Sequence, residues 1–231
     1  MAKIYCIANQ KGGVGKTTTA VNLAAALSQL SFNVLLVDLD PQGNATTGSG
    51  LEKNNLVQSV YEVLLDRADI KKVITHSTSG YDILGSNRKL AAAEEELLSA
   101  ARKELRLKTK LDEVSGQYDV IIIDCPPTLS ILTINAFCAA DGLIIPMTCE
   151  YYSLEGVSDL LLSIRAVREQ VNSGLVITGL LRVKFDPRIT LQREVSEQLS
   201  GYFGSSVFSS VIPTNVRLAE APVSYTHLRA H

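Results

Sequence analysis

The chain has 231 residues, 46% of them hydrophobic and 20% charged, and carries a formal net charge of −2. These are the proportions of a soluble globular protein with a substantial core, and the length fits one large α/β domain. So small a net charge excludes bulk attraction to nucleic acid or to a membrane surface, so any DNA binding must come from local patches, or from patches gathered by dimerisation.

Taken in chain order, the first apolar run, Ile4 to Ala8, reads as a buried strand. Gln10-Lys11-Gly12-Gly13-Val14-Gly15-Lys16-Thr17-Thr18 follows, and a helical run from Thr19 to Leu30 comes next. Strand, glycine loop and helix is the setting of a phosphate-binding loop. There glycines let backbone N–H groups form an anion nest, reinforced by the positive end of the helix. Lys16 would reach the terminal phosphates and the Thr17 hydroxyl would hold Mg²⁺. The first glycine of the G-x-x-x-x-G-K-T pattern is replaced by Gln10, and a second lysine, Lys11, stands beside it, so the loop can bring two cations to a nucleotide.

Asn33 to Asp38 and Asp119 to Asp124 are apolar runs that end on an acid, the second stopped by Pro126-Pro127. Leu143 to Ile145 and Leu175 to Val183 are further strand candidates. Continuous rather than alternating apolarity predicts strands covered on both faces, hence a predominantly parallel β-sheet flanked by helices. Helices are expected over Ser130 to Ala140, Ser153 to Val171 and Glu94 to Leu111, the last as a solvated outer layer. The segment from Gly43 to Gly85 is less regular, with a helix near Val57 to Leu65 and short strands around Lys72 to Thr75 and Tyr81 to Leu84. With no internal repeat and no linker, residues 1–222 read as a single domain. The final Val223 to His231 resembles one frame of a transposase-end sequencing adapter. It is set aside as a non-native tail, with the natural domain cut short near Pro222.

Four cysteines, Cys6, Cys125, Cys138 and Cys149, show no C-x-x-C spacing and read as reduced, mostly buried thiols of a cytoplasmic protein. Met1-Ala2-Lys3 runs straight into the first strand without a secretory leader, and no apolar run is long enough to cross a bilayer. In a parallel sheet, ligands bind beyond the carboxyl ends of the strands. Asp38, Asp40 and Asp124 are expected there. Asp124 has the form of an acid that orients Mg²⁺, and of Asp38 and Asp40 one would support the metal while the other orients the attacking water.

The chain resembles the ParA/Soj chromosome and plasmid partition ATPases, of the deviant Walker A group of P-loop NTPases. Five separated motifs carry the resemblance, which runs to Pro222. They are Lys-Gly-Gly-Val-Gly-Lys-Thr-Thr at 11–18, Asp-Pro-Gln-Gly-Asn at 40–44 and Ile-Ile-Ile-Asp-Cys-Pro-Pro at 121–127. The others are Cys-Glu-Tyr-Tyr-Ser-Leu-Glu-Gly at 149–156 and Asn-Val-Arg-Leu-Ala-Glu-Ala-Pro at 215–222. The resemblance implies ATP and Mg²⁺ as cofactors, with Gly12, Gly13, Val14, Gly15, Lys16, Thr17 and Thr18 around the phosphates. Lys11 matches the signature lysine that reaches the partner's phosphates in a nucleotide-sandwich homodimer, acting like an arginine finger, an effect worth on the order of 10³ to 10⁵ in rate in related NTPases. Asp40 matches the residue needed for hydrolysis, Thr17 and Asp124 the metal positions, and Pro213 and Asn215 the adenine side. Arg188 and Arg217 match positions that hold non-specific DNA, with Arg182, Lys184 and Arg193 adding charge nearby. Thr214 stands where the family often has a basic residue.

A ParB-type centromere-binding partner that stimulates hydrolysis, and a location on the nucleoid, follow from the same likeness. The principal alternative is a MinD-type ATPase of the cell-division site, bound to membrane through a C-terminal amphipathic helix. A tyrosine autokinase would need a C-terminal tyrosine cluster, which Tyr225 alone does not supply. An iron–sulfur reductase component would need cysteines in glycine-rich loops, a setting that Cys125 and Cys149 lack.

Overall fold

A computed structural model of the chain describes residues 1–150 and 155–215. Eight strands form one sheet: β1 (Lys3–Ile7), β2 (Val34–Asp38), β3 (Thr75–His76), β4 (Asp82–Leu84), β5 (Val120–Asp124), β6 (Gly142–Thr148), β7 (Val176–Phe185) and β8 (Val207–Pro213). Their order is β3-β4-β2-β5-β1-β6-β7-β8. Every neighbouring pair is parallel except β3 with β4. The expected fold class is what the structure shows.

Side chains alternate across a strand, and the core divides accordingly. Leu35, Val37, Ile121, Ile123, Leu143 and Ile145 belong to one apolar cluster, while Val34, Leu36 and Ile122 belong to the other. The second cluster is closed by α1 (Lys16–Gln29), whose Ala20, Val21, Ala24 and Ala25 recur at helical spacing. Small residues there let the helix lie close on the central strands. The first cluster is closed by α3 (Val60–Leu64), α5 (Leu90–Leu98), α6 (Arg106–Asp112), α7 (Ile131–Ala139) and α8 (Glu155–Gln170). Both faces being apolar is why these strands read as unbroken hydrophobic runs. All four cysteines are buried and unpaired, as expected.

Four elements differ from the expectation. The helix foreseen over Glu94 to Leu111 is two helices, α5 and α6, separated by a turn in which Arg102 takes a left-handed φ of 50°. The buried Asn135 of α7 satisfies the backbone that this break exposes. Its amide donates to Lys103 O at 2.8 Å and its carbonyl accepts from Leu107 N–H at 3.0 Å. The strand foreseen over Lys72 to Thr75 begins instead as a single helical turn, α4 (Ile70–Val73). Asp69 caps it by accepting from Lys71 N–H at 3.0 Å, and only Thr75–His76 is extended. Beyond β7 lie α9 (Thr190–Phe203) and the edge strand β8, neither anticipated as an element.

Candidate nucleotide site

Parallel pairing brings the carboxyl ends of the strands to one edge. Asp124 lies in register with Ile7 on one side and Asp38 on the other. The chain leaving β1 turns through the glycine loop into α1, so loop and acids share that edge.

The loop is held from outside and open inside. Asn9 is buried, donates to Pro146 O at 2.8 Å and accepts from Lys11 N–H at 3.0 Å, which fixes where the loop leaves the sheet. Gly13 and Gly15 take left-handed φ values of 72° and 77°, which side chains other than glycine adopt only at a cost. Gly12 needs no such angle, and a Cβ there would meet no protein atom within 4 Å. Among the described residues, the N–H groups of Gly12, Gly13, Val14 and Gly15 make no hydrogen bond of normal geometry to a protein acceptor, although Val14 is only 1% exposed. Gly15, the residue before α1, provides no side-chain cap either. Unpaired donors at an uncapped helix start form an anion site.

Lys16 is 8% exposed, and its Nζ donates to Lys11 O at 3.3 Å. Burial pulls its ammonium below the usual lysine range, while Asp124 and Asp40 oppose that shift. Asp124 is fully buried, and neither carboxylate oxygen makes a hydrogen bond of normal geometry; the Thr17 hydroxyl is its nearest polar support. Burial, then the charges of Asp38 and Asp40, push its carboxyl well above the ordinary range. An orphaned buried carboxylate beside a hydroxyl at an anion nest fits a Mg²⁺–phosphate group, which would supply the missing partner. No cluster of three or more His, Cys, Asp or Glu among the described residues closes a metal site by itself. Mg²⁺ held mostly by phosphate and water needs none.

The two acids at the carboxyl end of β2 divide their work differently from the expectation. Asp38 is wholly occupied within the protein: it accepts from Thr46 N–H at 2.8 Å, Thr46 Oγ1 at 2.7 Å and Asp40 N–H at 3.1 Å. It anchors the start of α2 (Asn44–Gly48), and burial raises its pKa to about 6 against those hydrogen bonds. Asp40 is the available acid. One of its oxygens accepts from Gln42 N–H at 2.8 Å, and its carbonyl accepts from Ser86 Oγ at 2.8 Å.

Lys11 points to Glu150, two residues past the end of β6, in a salt bridge whose side chains are 37% and 57% exposed. Glu150 stands in one of the quoted motifs, but no role had been assigned to it. The remaining predicted positions spread outward along the same edge. Thr17 and Thr18 lie in the first turn of α1. Pro213 ends β8 in register with Phe185, and both Pro213 and Asn215 are exposed. Arg188 is exposed and chelated by Asp186, its Nε and Nη2 donating at 2.9 and 2.7 Å. Arg217 lies outside the described residues. Two of the neighbouring cations are engaged within the protein. Arg182 is bound to Ser196 Oγ and Phe208 O, bracing α9 and β8 against β7, and Lys184 turns to the phosphate loop.

Known proteins agree with this geometry. A family model described as an AAA domain matches residues 2–177. The sporulation initiation inhibitor protein Soj of Bacillus subtilis is 50% identical over 96% of this chain and 88% of its own length. The chain belongs to the ParA/Soj family of chromosome-partitioning ATPases. The chromosome partitioning protein ParA of Myxococcus xanthus is 44% identical, over 96% of this chain and 79% of its own. A solved structure named as a cobyrinic acid a,c-diamide synthase from Mycobacterium smegmatis, with bound ATP analogue and magnesium, superposes with a TM-score of 0.90 at 37% identity. It covers 97% of this chain and 91% of that one. Its name describes another chemistry and stays with that protein; the curated partition proteins are more similar in sequence. The enzyme class of this ParA/Soj-family chain is therefore ATPase.

Proposed function

We propose that this ATPase is a nucleotide-timed DNA-binding switch for segregating a chromosome or plasmid. The observation that carries the reading is the juxtaposition at one sheet edge of the unpaired loop N–H groups, the buried Lys16 and the partnerless Asp124. ATP would lie with its phosphates in the loop and its base toward Pro213 and Asn215. Mg²⁺, held through Thr17 with Asp124 behind it, would neutralise charge on the phosphates. Lys16 binds the terminal phosphates from within the subunit. Asp40, fixed by Asp38 and Ser86 through its backbone, orients water for hydrolysis.

Lys11 is the residue left over. Its nitrogen is engaged by an exposed acid rather than by its own loop, so it is free to exchange Glu150 for the phosphate of a second subunit. ATP would thereby favour a dimer, and a dimer would double the cations offered to DNA by Arg188 and Arg217. Hydrolysis, stimulated by a ParB-type partner, would dissolve it and release the nucleoid. Support comes from the family and from the positions of Lys11, Lys16, Asp40 and Asp124 at one sheet edge.

Two variants test the reading. Asp40→Ala should cut phosphate release by on the order of 10²-fold or more while leaving an ATP-bound dimer on DNA. Lys11→Ala should keep ATP binding yet sediment as a monomer. A Lys11→Ala protein that dimerises with ATP as wild type does would refute the exchange.

A further inference from the structure

β7 and β8 run in parallel, but their register slips between Val183 and Phe185. Lys184 occupies that slip with a left-handed φ of 52°. A lysine in this conformation gives up about 1–2 kcal/mol relative to a right-handed one. Strain of this kind persists where surrounding structure demands it, and it gathers at functional sites. What the strained backbone achieves is visible at the other end of the side chain: Lys184 Nζ donates to Gly13 O at 2.8 Å, across 171 residues of sequence.

The Gly13 carbonyl belongs to the same peptide unit as the Val14 N–H. A trans peptide is planar, so the two groups point in opposite directions. Holding the carbonyl toward β7 therefore turns the Val14 N–H away from β7. That N–H belongs to a buried residue and makes no hydrogen bond of normal geometry among the described residues, beyond a loose turn contact toward the Lys11 carbonyl.

We propose that Lys184 is a positioning residue that presents the Val14 N–H to the phosphate chain of the nucleotide. It acts on the loop from outside, through a carbonyl, and is distinct from Lys11 and Lys16, which would meet the phosphates themselves. It also ties the loop to the segment that carries Arg188, four residues further on. The inference rests on the nucleotide site described above.

Three substitutions test it, with nucleotide affinity measured by calorimetry and amide exchange followed at Val14. Lys184→Met removes the donor and keeps the length; ATP and ADP affinity should fall about tenfold and KM should rise by more than kcat falls. Lys184→Gly also removes the donor but relieves the left-handed strain. It should unfold no earlier than wild type while losing affinity to the same extent, which separates positioning from stability. Lys184→Arg should restore affinity to within about twofold. Nucleotide should slow exchange of the Val14 amide in wild type and Lys184→Arg far more than in the other two. Wild-type affinity in Lys184→Met and Lys184→Gly overturns the proposal, as does a loss that Lys184→Arg fails to restore. Lys16→Ala is the control for the underlying reading: if it binds ATP normally, the site itself is wrong, whatever Lys184 does.

Discussion

Asp38 and Asp124 sit side by side in register, both fully buried, yet they are treated oppositely by their surroundings. Asp38 has three donors and Asp124 has none of normal geometry. Their burial has a consequence for pH. A carboxyl whose folded pKa is raised binds its proton more tightly in the folded state than in the unfolded chain. Its stabilisation is complete below the ordinary value of 3.8 and is lost as pH rises through the folded value, about 6 for Asp38. Asp124 is shifted the same way. Asp66, Glu96 and Asp186 have lowered values and act in the other direction, at lower pH. Between about pH 4.5 and 7, therefore, the nucleotide-free protein should lose several degrees of thermal stability as pH rises. Calorimetric scans across that range check it, and a melting temperature that climbs steadily from 5 to 7 would contradict it. Asp38→Asn should remove part of the slope and also weaken the fold, because an amide nitrogen would face the N–H of Asp40 or of Thr46.

At the scale of the element, the turns that leave the strands place Asp40 and Arg188. The turn after β2 depends on Gly43, which has φ 61° and where a Cβ would come within 2.8 Å of Ser86 O. Ser86 is also the residue that holds the Asp40 carbonyl. Gly43→Ala should cost about 1–3 kcal/mol in unfolding free energy and reduce phosphate release by more than ATP affinity. Equal effects on both would mean that the turn does not aim Asp40. The loop after β7 carries a second local device. Asp186 is held down to a pKa of about 2 by Arg188, so it remains charged and grips that arginine throughout the physiological range. Asp186→Asn should release Arg188 and tighten non-specific DNA binding by about three- to tenfold in the ATP state. Arg188→Ala should lower the salt slope by about one unit per subunit. An Asp186→Asn protein that binds DNA more weakly would place Arg188 outside the interface.

Contiguity decided which of these features could be read from the chain alone. The glycine loop and the acid-ending strands are local patterns, six to nine residues long, and the structure has them where the pattern puts them. Asn135, which splits the α5–α6 region, acts on residues 28 and 32 positions away. Lys184 acts over 171 positions and the Lys11 pair over 139. A single polar residue whose partner is that distant leaves no periodic trace. α9 and β8 were missed for a different reason. β8 is an edge strand whose Ser209 and Ser210 are exposed, so it lacks the unbroken apolar run that marked the central strands.

For the whole molecule, the question is what the resting state would give up in the proposed dimer. In the single subunit Lys11 is already spoken for, and the first cause of the lowered Glu150 pKa is its hydrogen bond from Lys11. The pair is substantially exposed, and such pairs contribute only about 0.2–1 kcal/mol. A hold this weak keeps the cation from straying without opposing a multiply charged phosphate. In the proposed dimer two subunits would exchange two such pairs on closing, so removing the acid should be felt twice. Glu150→Gln should thus strengthen the ATP-dependent dimer by about two- to tenfold, measured by sedimentation with a non-hydrolysable analogue, and the gain should shrink as salt is raised. It should vanish in Glu150→Gln combined with Lys11→Ala, because no Lys11 cation is then left for the acid to release. A dimer weakened by Glu150→Gln would show instead that the carboxylate is used in the closed state, where it would have to meet a cation of the other subunit.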